Sequence, residues 1–411
     1  MQERAGTNKM TSRERVLTSL QHREPDRVPI DCGGTLSSIS QFAYRRLLRH
    51  LGLDHLEPDI IINDSVQQLA KPQEEVLQIL GADVRHLQPG PPDGFEPRTI
   101  AGNPADAYAE YASGGEQHAF QDEWGIIWRR AAYYYDMVKH PLADATVESL
   151  KAYKFPDPEN PGRFRGLREK AKALYENTPY AVHADQGSGG LLEMCLWTRG
   201  FEGFYMDMAS KSPFAEILLD RVLEYLMAFY DKYLEALKGY VQIVSIGDDY
   251  AMQDRMLISP AMWREMVKPR YARLLQHIKS KADVYCFHHS CGAVVPIIDD
   301  LIEIGVDVLN PTQPRAKGMW DSRELKRRFG ERITFHGGID EQQILPRGTP
   351  QDVEEEVKRR VSGFAPGGGY ILAAAHNIQA DVPPENILAM YRAAQEYGRY
   401  PINVPNVNWG E

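Results

Sequence analysis

Lys281-Ala-Asp-Val-Tyr-Cys-Phe-His-His-Ser-Cys-Gly292 is the stretch on which the reading of this 411-residue chain turns. Val284 to Phe287 is a short apolar and aromatic run of the kind that forms a buried strand. It ends in His-Ser-Cys-Gly and leads into Ala293-Val-Val-Pro-Ile-Ile-Asp-Asp-Leu-Ile-Glu-Ile304, an amphipathic helical pattern closed by Gly305. Side chains alternate along a strand, so Tyr285, Phe287, His289 and Cys291 share one face and His288 takes the other. An imidazole and a thiol then point into the same space at the carboxyl end of a strand. Zinc takes both donor types, with a third protein ligand from elsewhere. Taken alone the pair has a blander meaning, because buried cysteines are common and usually inert.

A partner stands near the carboxyl terminus. Gly367-Gly-Gly-Tyr-Ile-Leu-Ala-Ala-Ala-His-Asn-Ile378 repeats the plan of glycine turn, short apolar run and polar break, with His376 at the end of the run. A helix then opens at Asp381-Val-Pro-Pro-Glu-Asn, with proline where a first turn tolerates it. No cysteine lies beyond Cys291, which excludes an all-cysteine set downstream and leaves a His, Cys, His set open.

Outward from these two stretches the pattern continues. Thr11-Ser-Arg-Glu opens a helix with a capping box, after a polar start at 1–10 that reads as a disordered tail. Strands are expected at about Val28 to Cys32, Asp83 to Leu87, Tyr180 to Asp185, Val241 to Ile246, the His-Ser-Cys run, Val306 to Asn310, Arg332 to Asp340 and Tyr370 to Ala374. Helices fall between them, including Leu191 to Ala209, Ala215 to Leu237 and one capped by Ser259-Pro260. Between Pro89 and Leu142 the pattern changes, and Glu123-Trp-Gly-Ile-Ile-Trp-Arg-Arg and Tyr133-Tyr-Tyr-Asp-Met-Val alternate like paired strands. Alternating strands and helices force parallel pairing with helical crossovers. Eight such units close a (β/α)8 TIM-type barrel, so the expected fold is one α/β barrel domain over 11–411, distorted by a β-rich insertion at about 89–142.

Composition narrows the function. The chain is 43% hydrophobic and can bury a large core, and 47 basic against 57 acidic residues leave a net charge of −10. With no concentrated basic patch, a nucleic-acid binder is not expected. Cys32, Cys195, Cys286 and Cys291 show no disulfide framework, which points to a reducing cytoplasm. No run is long enough for a membrane helix, so no membrane partner is expected.

Barrel active sites sit at the carboxyl ends of the strands. Here those ends carry Asp31, Asp185, Asp248, Asp249, His289, Cys291, Asn310, His336, Asp340, His376 and Asn377. Any one of the aspartates or asparagines can be doing no more than binding backbone amides at a turn or helix start. As a set they point to a site.

The opening helix before Pro25-Asp-Arg-Val-Pro, Gly247-Asp-Asp with its Ser-Pro helix, His289-Ser-Cys-Gly, His336-Gly-Gly-Ile-Asp and Ala375-His-Asn-Ile together resemble the uroporphyrinogen decarboxylase superfamily, from Thr11 to Tyr397. The resemblance implies a distorted (β/α)8 barrel. True uroporphyrinogen decarboxylases carry an arginine-rich motif after the first strand. This chain reads Ile30-Asp-Cys-Gly-Gly-Thr-Leu-Ser-Ser-Ile-Ser40 there, with no arginine until Arg45, so a polycarboxylate tetrapyrrole lacks its cationic partners. The similarity is closer to the zinc-dependent corrinoid methyltransferases, O-demethylase type, whose zinc is held by His-x-Cys and a third ligand, typically cysteine, on the last strand.

On that resemblance His289, Cys291 and His376 are the expected metal ligands, with histidine in place of the last cysteine. The implied cofactors are Zn2+ and a cobalamin (corrinoid) carried by a partner protein. A nitrogen-rich ligand set makes zinc the stronger Lewis acid and favours an oxygen-linked methyl donor. Asp248 or Asp249 would manage a proton or orient the substrate. Tyr250, His336, Asp340 and Asn377 are the expected substrate-binding residues, and Tyr250, Trp124 and Trp128 the expected aromatic walls. The implied reaction is methyl transfer from a small, O-methylated compound to the partner's cobalt. The alternative is a metal-dependent decarboxylase or lyase of a small carboxylated compound on the same scaffold, and a homodimer is left open.

Overall fold

The computed structural model describes residues 10–101, 118–404 and 407, so 1–9 of the expected tail lie outside the described residues. Three short strands come first, β1 (Ile39–Ser40), β2 (Ile61–Asp64) and β3 (Leu69–Lys71), paired antiparallel in the order β1-β3-β2. Strands this short give alternation too little length to register in a sequence. After β4 (Val84–Leu87) come β5 (Arg98–Ala101), β6 (Ala119–Gln121), β7 (Ile127–Ala131) and β8 (Tyr134–Lys139), an antiparallel sheet with neighbours in that order. This sheet falls within the stretch where paired strands are expected, and 102–117 lie outside the described residues. The chain then alternates β9 (Ala181–Ala184), β10 (Ile243–Gly247), β11 (Tyr285–His289), β12 (Val308–Asn310), β13 (Thr334–Ile339) and β14 (Tyr370–Ala374) with helices. These six and β4 form one parallel sheet in the order β4-β9-β10-β11-β12-β13-β14. Every residue of β9, β10, β12, β13 and β14 is buried, as a parallel sheet covered on both faces requires.

The eighth place in the barrel is filled without a strand. The expected first strand, Val28 to Cys32, pairs through a single parallel bridge, Ile30 with Leu372. Leu372 N–H donates to Pro29 O and Asp31 N–H to Leu372 O, both at 2.9 Å, while Asp83 N–H donates to Ile30 O at 2.8 Å on the opposite side. Pro29 has no N–H to extend the ladder. Asp83 completes the seam with its side chain, accepting Ile30 N–H at 2.9 Å and ion pairs from Arg15 at 2.6 Å and Arg27 at 2.7 Å. The segment thus bridges β14 to β4 and closes a distorted (β/α)8 barrel.

Two apolar cores flank the sheet. Inside the barrel, Val84, Ala181, Ile243, Phe287, Val308 and Ile371 form one layer, and Val16 and Leu20 of the helix Ser12–Leu20 plug its amino-terminal end. That helix starts at Thr11 with the capping box its sequence announces. The larger core lies between the sheet and the outer helices, of which Pro213–Leu237 buries Phe214, Leu218, Val222, Phe229 and Tyr233. The single helix expected over Leu191 to Ala209 is two helices, Leu191–Arg199 and Phe201–Ala209. Gly200 breaks it by adopting φ +90°, a conformation only glycine takes freely. Among the described residues no helix is long and apolar enough to cross a membrane.

Candidate metal centre and barrel-mouth cleft

Strand register brings the chemistry together. β11 aligns His289 with Gly247 of β10 on one side and with Asn310 of β12 on the other. Its alternation sends Phe287 into the barrel's inner layer and His288 outward, where His288 Nδ1 meets Tyr271 OH at 2.7 Å. Two residues past the strand end, Cys291 Sγ lies 3.5 Å from His289 Nε2. Gly292 then turns away at φ +88°, where a Cβ would stand 2.5 Å from the Met252 carbonyl oxygen. His376 arrives from the end of β14, its ring 5.5 Å from that of His289. One donor atom each of His289, Cys291 and His376 lies within 4.8 Å of the other two.

These donors suit zinc. His289 Nδ1 bonds Asn310 Oδ1 at 2.5 Å, so that nitrogen carries the proton and Nε2 offers its lone pair on the thiol side. Burial first and His289 second push His376 down to about 4, which keeps it neutral and able to ligate. The Cys291 thiol is pushed well above its ordinary value by burial, then by Asp249, Glu341 and Glu193. A thiol among carboxylates ionises only beside a cation, and two imidazoles with one sulfur make an N/S set of the kind zinc takes, with a fourth position for a substrate.

The expected site residues divide. Asp249 joins the centre, with Oδ1 accepting Cys291 N–H at 2.7 Å and standing 3.7 Å from His289 Nε2. Asp248 does not. Its carboxylate accepts Leu192 N–H at 2.8 Å and Glu193 N–H at 2.7 Å, holding the start of the helix Leu191–Arg199. Tyr250 is fully buried, donates to Asp248 Oδ2 at 3.0 Å and stacks on His288, so it is no pocket wall. Asp340 pairs with Arg315 at 2.6 Å and caps the turn at Gln342 and Gln343. Asn377 pins a neighbouring loop by accepting Ser38 N–H and donating to Thr35 O, both at 2.8 Å. Trp124 packs edge-on against Phe155 and Tyr225, and Trp128 against Trp197, so both belong to the core and not to a substrate wall.

His336 lies inside the barrel, beneath the centre. Its Nε2 meets Asp31 Oδ2 and its Nδ1 the amide of Asn310. The other Asp31 oxygen bonds His86, whose second nitrogen bonds Asp185. Burial alone would lower His86, but the carboxylates of Asp31 and Asp185 raise it to about 10. Burial likewise works to raise Asp31, yet His86 and the hydrogen bond from His336 hold it well below the usual carboxylate range. Asp31, His86 and His183 also bring donor atoms within 4.8 Å of one another. Both nitrogens of His86 are already taken, and His183 Nε2 bonds Ser245 Oγ, so this is a hydrogen-bonded layer.

Beside His376 opens a cleft of about 770 Å3. Its lining includes Tyr133, Tyr134 and Tyr135 from the excursion, Gln67, Gln313 and Gln379, and the carboxylates Glu341 and Asp381, with no lysine or arginine among the described lining residues. Glu341 lies one residue beyond the strand-end set read from the sequence. It is buried, its Oε2 has no hydrogen-bond partner, and burial ahead of repulsion from Asp340 pushes it up to about 7. The repeated tyrosines were visible in the sequence as strand, but not as a wall, because which face meets the barrel mouth depends on how the insertion docks.

The family model described as uroporphyrinogen decarboxylase (URO-D) matches residues 137–397. A uroporphyrinogen decarboxylase of Shewanella amazonensis is 23% identical over 278 residues, covering 62% of this chain and 70% of that protein. The methylcobamide:CoM methyltransferase MtaA of Methanosarcina barkeri is 27% identical over 235 residues, 57% of this chain and 64% of that one. A solved methyltransferase from Methanosarcina mazei superimposes over 94% of this chain and 99% of its own, with a TM-score of 0.63 at 18% identity, which is a likeness of fold.

Proposed function

Because the chain belongs to the uroporphyrinogen decarboxylase (URO-D) family, we propose that it is a zinc-dependent methyltransferase that moves a methyl group from a small O-methylated compound to a corrinoid protein. The observation that carries this reading is a His, Cys, His donor set within 4.8 Å, next to a cleft free of lysine and arginine among its described lining residues. His289, Cys291 and His376 would hold the zinc. When bound, the zinc supplies Lewis acidity toward the ether oxygen that leaves with the electron pair of the broken methyl–oxygen bond.

The chain's own groups do the rest. Asp249 fixes the Cys291 loop through the Cys291 N–H. Glu341, raised to about 7 by burial, holds a proton at the cleft wall and would deliver it to the departing oxygen. Tyr133 to Tyr135 give an apolar face for the methyl donor, and the glutamines give hydrogen bonds that orient it. The Methanosarcina barkeri relative has CoM in its name; here the Asp381 carboxylate, with no lysine or arginine among the described lining residues to offset it, makes the cleft repel an anion, which favours an uncharged donor. The same feature disfavours the alternative, decarboxylation of a small carboxylated compound.

The test combines zinc-loaded protein, a reduced corrinoid protein encoded nearby and a panel of methoxylated compounds, with methyl–cobalt formation followed by absorbance. Methylation by at least one uncharged ether is expected. If no donor methylates the cobalt, and the enzyme alone releases carbon dioxide from a carboxylated compound, the lyase reading replaces this one.

A further inference from the structure

His289 is one end of a hydrogen-bonded chain that runs through the barrel interior away from the candidate zinc. His289 Nδ1 meets Asn310 Oδ1 at 2.5 Å, Asn310 Nδ2 lies 2.8 Å from His336 Nδ1, and His336 Nε2 lies 2.9 Å from Asp31 Oδ2. Asn310, His336 and Asp31 are buried almost completely, so water does not substitute for any of these partners. The chain has a direction, and Asp31 sets it. A carboxylate can only accept, so His336 must present Nε2–H to it, and the Asn310 NH2 facing Nδ1 at 2.8 Å makes Nδ1 the acceptor. Nδ1 then requires the NH2 of Asn310, which turns the Asn310 oxygen toward His289. That oxygen requires the proton on His289 Nδ1, and Nε2 is left with its lone pair facing Cys291. If Asn310 were turned the other way, a singly protonated His336 would set a bare nitrogen against the Asp31 carboxylate.

We propose that Asp31 is a positioning residue for the metal, which through His336 and Asn310 fixes the tautomer of His289 that can ligate. This inference rests on the zinc reading above. It assigns a role to a residue of the non-strand segment that fills the eighth barrel position, two hydrogen-bonded side chains removed from the ligand. Asp31→Asn keeps size and shape but can offer an NH2 to His336. Each following partner then reverses, and the proton moves to His289 Nε2, where it blocks the metal. Groups that orient a metal-bound histidine are typically worth about 10–100-fold in metal affinity.

The experiment measures zinc affinity by competition with a chromophoric chelator, and the cobalt(II) absorption spectrum, in four proteins checked for fold by circular dichroism. These are wild type, Asp31→Asn, Asn310→Leu and the double variant Asp31→Asn/Asn310→Asp. Asp31→Asn is expected to bind zinc about 10–100-fold more weakly and to perturb the cobalt spectrum. Asn310→Leu, which removes the acceptor without touching Asp31, is expected to weaken binding similarly and serves if Asp31→Asn does not fold. The double variant should recover affinity. Its carboxylate at 310 accepts from both His289 and His336, and its amide at 31 donates to His336 Nε2. Wild-type protein that binds no zinc overturns the zinc reading and this inference with it. Wild type that binds zinc alongside single variants of equal affinity, or a double variant no better than Asp31→Asn, overturns the relay alone.

Discussion

At the scale of single residues, Cys291 and Glu341 separate metal binding from chemistry. Cys291→Ala removes the only sulfur of the donor set, so the purified variant should lose its zinc by elemental analysis while its circular dichroism stays that of the wild type. Glu341→Gln should keep the zinc and lower kcat by about 10²–10⁴-fold, the usual weight of a general acid. An unchanged kcat would remove Glu341 from the proton path. His86 makes a different kind of prediction. Its folded pKa, about 10, lies above the ordinary histidine value because of Asp31 and Asp185. Stability from this group is therefore complete below about pH 6.5 and declines as pH rises toward 10. Denaturant titrations across that window should show the decline in wild type and a flatter profile in His86→Gln.

At the scale of elements, the weak point of the barrel is the seam where Val28 to Cys32 stands in for a strand. One bridge and a few backbone hydrogen bonds hold it, and Asp83, wholly buried between Arg15 and Arg27, ties it to β4 and to the plugging helix. Removing one partner of a buried pair strands the others. Asp83→Ala should therefore cost about 3–5 kcal/mol in chemical denaturation. Leu20→Ala opens a cavity in the plug of the inner core and should cost about 2–5 kcal/mol. A loss under about 1 kcal/mol in either would mean that this end of the barrel is held by something else.

At the scale of the whole molecule, the excursion supplies the tyrosine wall and the last barrel loops supply the Asp381 carboxylate beside the proton-bearing Glu341, so the mouth discriminates by charge. Like charges brought together at a binding surface cost several kcal/mol. Neutral methoxylated compounds should therefore exceed their carboxylated analogues by more than about tenfold in kcat/KM. Conversion of uroporphyrinogen to coproporphyrinogen at a rate near that of a dedicated enzyme would contradict the same picture, because that substrate needs cations and the described lining residues of this mouth include no lysine or arginine.

What the sequence determined by itself is what depends on local periodicity. Strand alternation put His289 and Cys291 on one face and His288 on the other, and the recurrence of apolar run, polar break and helix gave an eight-membered barrel with His376 at another strand end. Capping residues such as Thr11 and Ser259 marked helix starts, because a cap is a bond between residues three apart. The tertiary structure alone decided which polar residues are free to act. Asp248 and Asp249 are neighbours in sequence, yet one serves the amides of a helix and the other reaches the candidate metal ligands. Tyr250 and Asn377 were drawn into packing by partners from other elements, while Glu341 was left with an unpartnered oxygen at the cleft. The reason is physical. Alternation along a strand fixes which side a residue faces, but whether its polar atoms are already satisfied depends on groups up to hundreds of residues away, and only the closed barrel brings those within hydrogen-bonding distance.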